Sequence, residues 1–119
     1  MQKITALLFL FFLLPSVSAQ PLSDYVAYGC KGDTDVELPD GSVAECVMEE
    51  YVVVFDYSSR WVDAIDRALR LGEVANRIGA VVLIVNSGQD RGYEMAQKMI
   101  YGYAMALELV ALPRLPASI

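Results

Sequence analysis

The strongest constraint in this sequence is an unbroken apolar run, Ala80-Val81-Val82-Leu83-Ile84-Val85, set between two stretches of helical periodicity. A run with no polar face reads as a central strand covered on both sides. Before it, Trp61, Ile65, Ala68, Leu69 and Gly72 recur at three and four, which predicts a helix from about Arg60 to Arg77 with one buried stripe. Ser58-Ser59 supplies a cap and Gly79 a stop. Asp63/Arg67, Asp66/Arg70 and Glu73/Arg77 each place an acid four residues before a base, which steadies an exposed helical face. After the run, Asn86-Ser87-Gly88 turns the chain, and a second helix is predicted from about Arg91 to Leu109. Its inward stripe would be Tyr93, Ala96, Ile100, Tyr103, Ala104 and Leu107, with the Met and Tyr residues read as core. Pro113 and Pro116 mark an irregular tail.

Upstream, Asp35-Val36-Glu37-Leu38 alternates polar and apolar, as does Val43 to Val47, and Pro39-Asp40-Gly41-Ser42 between them is a turn signal. The segment therefore reads as a β-hairpin. Tyr51-Val52-Val53-Val54-Phe55 is a third strand, and in the lead-in Gln20 to Tyr28, Ser23-Asp24 can cap one helical turn before Gly29. The order hairpin, strand, helix, buried central strand, helix gives a mixed α+β or α/β fold: a single small domain whose last strand is entered through a helical crossover.

Met1-Gln2-Lys3, the apolar stretch Ile4 to Leu14, Pro15 and the small residues of Val17-Ser18-Ala19 have the layout of a cleavable signal peptide. The apolar stretch is little more than half of the roughly 20 residues needed to span a bilayer. Residues 1–19 are thus expected to be removed, leaving 20–119 as one domain, exported to the periplasm or secreted. In that setting Cys30 and Cys46, the only two cysteines, are expected to form a structural disulfide.

Composition narrows the chemistry. The formal net charge is −6 and no stretch is basic, which disfavours nucleic acid and, once the leader is gone, anionic membranes as partners. No histidine occurs, which excludes Ser-His-Asp and Cys-His catalysis in their usual forms, and two cysteines cannot build a four-thiolate metal site. Carboxylate chemistry with a hard cation remains, or no chemistry.

At Glu37-Leu38-Pro39-Asp40-Gly41, Glu45-Cys46, Phe55-Asp56-Tyr57, Arg60-Trp61-Val62-Asp63-Ala64-Ile65 and Gly79-Ala80-Val81-Val82-Leu83-Ile84, the sequence resembles small bacterial proteins related to the PD-(D/E)xK nuclease fold. The resemblance spans roughly Gly29 to Ile84 and implies a restriction-endonuclease-like core. It implies Glu37, Glu45, Asp56 and Arg60 as catalytic candidates, with Glu45 and Asp56 as metal ligands, Asp63 at the group's helical Glu and Arg67 at its Gln. Such a site needs carboxylates converging on a divalent cation and a lysine beside the attacking water. Here Val54 stands where the group carries a metal-binding Glu, and a valine has no oxygen to offer a hard cation. Arg60 replaces the lysine, and a guanidinium does not give up its proton. Asp66, where the group has Gly, adds an acid beside the site.

The candidates are therefore expected to be vestigial. The expected function is an exported binding or interaction module on a nuclease-like scaffold, with a protein as the unidentified partner and no cofactor. The alternative is a residual phosphodiesterase using Mg2+. A third reading lodges the protein in the envelope through the small-residue pair Gly102/Ala106 of its last helix.

Overall fold

A computed structural model describes residues 20–86 and 89–115. The expected leader and cleavage site, Ser87 and Gly88 of the expected turn, and Pro116 of the tail lie outside the described residues. Within them the chain runs α1 (Leu22–Gly29), β1 (Asp33–Glu37), β2 (Val43–Val47), β3 (Tyr51–Tyr57), a 3-10 turn (Ser58–Arg60), α2 (Trp61–Ala75), β4 (Ile78–Val85), α3 (Arg91–Gly102) and β5 (Leu107–Pro113). The five strands form one mixed sheet in sequence order. β1, β2 and β3 pair antiparallel, then β4 and β5 join in parallel through the α2 and α3 crossovers.

The hairpin forms where expected. Gly41 takes φ 88° and donates its N–H to the Leu38 carbonyl, while Ser42 N–H goes to Asp40 Oδ1. β3 and β4 hold the centre, in continuous register from Tyr51 against Ile78 to Tyr57 against Ile84. On one face of the sheet Val54, Val81 and Leu83 pack under Ala64, Ile65 and Ala68 of α2 and Ala96 and Ile100 of α3. The β1–β2 side packs on the far end of α2 through Leu38, Ala44, Val47 and Val52 against Leu71 and Val74. Gly79 permits the close fit of β4 beneath α2: a Cβ there would stand 2.5 Å from the Ala68 carbonyl oxygen.

The opposite face is covered by α1, which makes two turns where the sequence suggested one. Tyr25 is buried against Phe55 and Ile84, and its ring meets the edge of Tyr57 at 6.4 Å. Both ends of this short helix are tied down. The Tyr57 hydroxyl donates to the Gln20 carbonyl, and Cys30, just past the C-terminus, forms the expected disulfide with Cys46 of β2, Cα to Cα 5.9 Å. Closing a loop of that size is worth about 3 kcal/mol in the chain-entropy model.

The ends of both long helices differ from the sequence reading. α2 stops at Asn76, not Gly79, because Asn76 adopts the left-handed conformation at φ 55° and Arg77 N–H closes on the Gly72 carbonyl. Arg77 is thereby turned out of the helix and donates to the carbonyls of Met48, Glu49 and Ala75 instead of pairing with Glu73. Leu69 of the expected stripe is 40% exposed. The largest correction concerns the second helix, which ends at Gly102; Leu107 to Pro113 is a fifth strand along β4. Tyr103 and Ala104 are exposed, and Ala106 lies in the turn, so Gly102 and Ala106 share no helix and the small-residue packing motif dissolves. No helix of the described residues is long and apolar enough to cross a membrane.

Candidate functional site

The site is built where β3 leaves the sheet and α2 begins. Residues 54 and 56 lie two apart on a strand and face the same side, under α2. Val54 is wholly buried in the apolar cluster. Asp56 is 1% exposed, the one buried carboxylate of the described chain. Its Oδ1 accepts the Tyr57 N–H at 2.8 Å, and its Oδ2 accepts Arg67 Nη2 at 2.8 Å and Arg60 Nε at 3.1 Å. Burying a carboxylate is costly unless it is paired and hydrogen-bonded, and here both oxygens are satisfied.

Glu45 reaches the same place by a different route. β2 and β3 pair only at Cys46 against Val53 and Val47 against Val52. Beyond that point the strands part, and Glu45 Oε1 accepts the Phe55 N–H at 3.3 Å, a side chain satisfying a main-chain donor at the end of the ladder. Burial raises the Glu45 carboxyl above its ordinary value, opposed by the Phe55 N–H and by Arg67.

Arg67 organises the cluster. Each of its three guanidinium nitrogens meets a different acid: Nη2 on Asp56, Nε on Asp63 at 3.0 Å and Nη1 on Glu45 at 3.4 Å. Arg60 adds a second bridge, from Asp56 to Asp63 Oδ2 at 3.3 Å. Burial works to raise the Asp63 carboxyl, but the bonds from Arg67 and Arg60 outweigh it and hold the group below its ordinary value. Hydrogen bonding to Asp56 pushes Arg60 higher still, so its charge is fixed.

The structure thus gathers Glu45, Asp56 and Arg60, as the sequence implied, together with Asp63 and Arg67. Glu37 is not among them: it is exposed on β1 opposite Val43, with β2 between it and β3, and it enters none of these ion pairs. Asp66 also stays away, bonded to Arg70 on the solvent side of α2, where both side chains are 65% exposed. A further acid, Asp90, went unremarked in the sequence. It caps α3, accepting Tyr93 N–H on Oδ1 and both Asn86 N–H and the Ser58 hydroxyl on Oδ2. An aspartate immediately before a helical period is the signal that could have found it. It takes the Ser58 hydroxyl expected to cap α2, whose own start has no side-chain cap.

A magnesium ion does not fit these residues as they stand. Val54 supplies no oxygen, both Asp56 oxygens are taken, and two guanidinium groups occupy the space between the acids. Among the described residues no group of three His, Cys, Asp or Glu is placed to hold a metal. What the arrangement does is join β2, β3 and the first turns of α2 through one charge-assisted network. No known protein family, characterised protein or solved structure matches the chain.

Proposed function

We propose that this is an exported, non-catalytic domain that retains a nuclease-like scaffold and works by binding another protein. The observation that carries the reading is Arg67, whose three nitrogens stand on Asp56, Asp63 and Glu45, so that an internal cation takes the role a bound metal would have. Three further points support it. Val54 is sealed in apolar packing; the order hairpin, strand, helix, strand from Asp33 to Val85 is the one the resemblance calls for; and the Cys30–Cys46 bond suits an oxidising compartment. Exposed Tyr28, Tyr101 and Tyr103 are of the residue type that favours protein contacts. The leader read from residues 1–19 would supply the export.

Calorimetric titration with Mg2+ and Mn2+, beside incubation with plasmid DNA and total RNA, tests the loss of catalysis. The expected result is no saturable binding tighter than about millimolar and no cleavage. Metal-dependent cleavage abolished by Asp56→Asn would restore the phosphodiesterase reading.

A further inference from the structure

The two edges of the sheet are built on different principles. β1, the first edge, is five residues long and presents Asp33, Asp35 and Glu37, all exposed. Asp35 takes φ 52°, and it falls between the paired Thr34–Cys46 and Val36–Ala44. Charge, shortness and a local kink are the devices that stop an edge strand from pairing with another chain. β5, the opposite edge, is longer and regular, with Glu108 its single charge and a proline only at its end. It runs Leu107-Glu108-Leu109-Val110-Ala111-Leu112-Pro113, in unbroken register with β4, with one charge and a half-exposed Val110. Among the described residues, its outer row of main-chain groups has no strand beside it.

We propose that β5 is a self-pairing edge: a second copy of this chain adds antiparallel, with the two-fold axis at Val110, making one continuous sheet through both protomers. The sequence of β5 is self-complementary in that register. Val110 faces Val110 of the second copy, Leu109 faces Ala111 and Leu107 faces Pro113, while Glu108 faces Leu112. The two Glu108 carboxylates are then four residues apart along the strands, about 13 Å, beyond the Debye length of roughly 8 Å at physiological salt. An antiparallel pair about a two-fold normal to the sheet also keeps each face on its own side. Leu112 joins the α1-side cluster and Leu109 packs with the cluster under α2 and α3, so apolar residues stand on both faces at the junction, with Glu108 the charge among them.

A groove of about 330 Å3 opens beside β5 on the α1 side, lined by Met48, Tyr51, Val53, Val82 and Val110 with Glu108 at its rim. The strand edge alone is some 23 Å long and covers far less than the roughly 800 Å2 per partner of a stable complex. The groove runs from β5 back across β4 and β3 to β2 and adds apolar surface on one face only, so the geometry describes a reversible dimer. This inference is independent of the carboxylate network and of whether the domain ever cleaved nucleic acid.

Sedimentation equilibrium of the protein recovered from the expressing cell is expected to show a concentration-dependent dimer. Val110→Lys places two ammonium groups against each other at the axis and is expected to weaken dimerisation at least about tenfold, close to 1.4 kcal/mol. Val62→Lys, at an equally exposed valine on α2, should leave it unchanged. If Val110→Lys fails to fold, Val110→Cys decides the matter. Directly opposed residues lie about 4.5–5.5 Å apart at Cα, within disulfide range, so this variant should cross-link to a dimer on oxidation while Val62→Cys does not. A monomer at every concentration with no Val110→Cys cross-link would overturn the proposal. So would a dimer that survives Val110→Lys and leaves Val110→Cys uncross-linked.

Discussion

Asp56 and Asp90 stand at the same end of the sheet, each just before a crossover helix, yet the protein satisfies them with different chemistry. Asp56 is met by two guanidinium groups from α2 and its approach, Asp90 by neutral donors: two main-chain N–H groups and a serine hydroxyl. A carboxylate held by neutral donors caps the helix it precedes and settles the local chain direction. One held by cations ties strand to helix across the fold, and it commits those cations. The comparison explains how a carboxylate can occupy a catalytic position by resemblance and still be structural in effect.

The largest effect should come from Asp56→Asn, which keeps shape but removes the buried charge that Arg67 Nη2 and Arg60 Nε both meet. A loss of about 3 kcal/mol is expected in urea denaturation, as for a broken buried ion pair. Asp90→Ala should cost about 1 kcal/mol, the value of a helix cap. If the two losses prove equal, the distinction between a cross-link and a cap fails. Arg60→Gln should leave the urea midpoint close to that of the natural protein, since the side chain is 60% exposed and Arg67 still holds Asp56.

The smallest effect is in the pH dependence, where Glu45 and Asp90 should differ in sign. Burial raises the Glu45 carboxyl above 4.5, so its ionisation weakens the fold as pH rises through that raised value. Burial also works to raise Asp90, but the bonds from Tyr93, Asn86 and Ser58 prevail and lower it below 3.8, so its stabilisation is present at neutral pH and lost as the solution is acidified through its lowered value. Between pH 4 and pH 7, thermal melts should therefore show Glu45→Gln gaining on the natural protein. Acidification below pH 4 should shrink the deficit of Asp90→Asn.

Periodicity made most of the sheet and α2 legible, because β3, β4 and the helix stripe each carry one period without competition. β5 was hidden by an accident of spacing. Ile100, Tyr103, Ala104 and Leu107 continue the helical stripe past Gly102, while the alternative reading of Leu107 to Leu112 as a strand depends on the open edge of β4, which no local pattern records. The site was half legible. The resemblance points to Glu45, Asp56 and Arg60, and puts Arg67 at the group's Gln, but spacing alone pairs Arg67 only with Asp63 one helical turn away. Its reach to Asp56 and Glu45 is a tertiary fact, created by packing α2 across β3 and β2. Glu37 shows the converse: the right residue type at the expected hairpin position, placed by topology on the wrong strand to take part.

The tethering of α1 has a consequence for timing. Eight residues are too few to hold a helix by themselves in water, and α1 is what shields Phe55 and Ile84. Its far end is fastened by a bond that forms only among oxidants. With the two thiols reduced that face would be less firmly covered, so forming the Cys30–Cys46 bond acts as a latch that completes it.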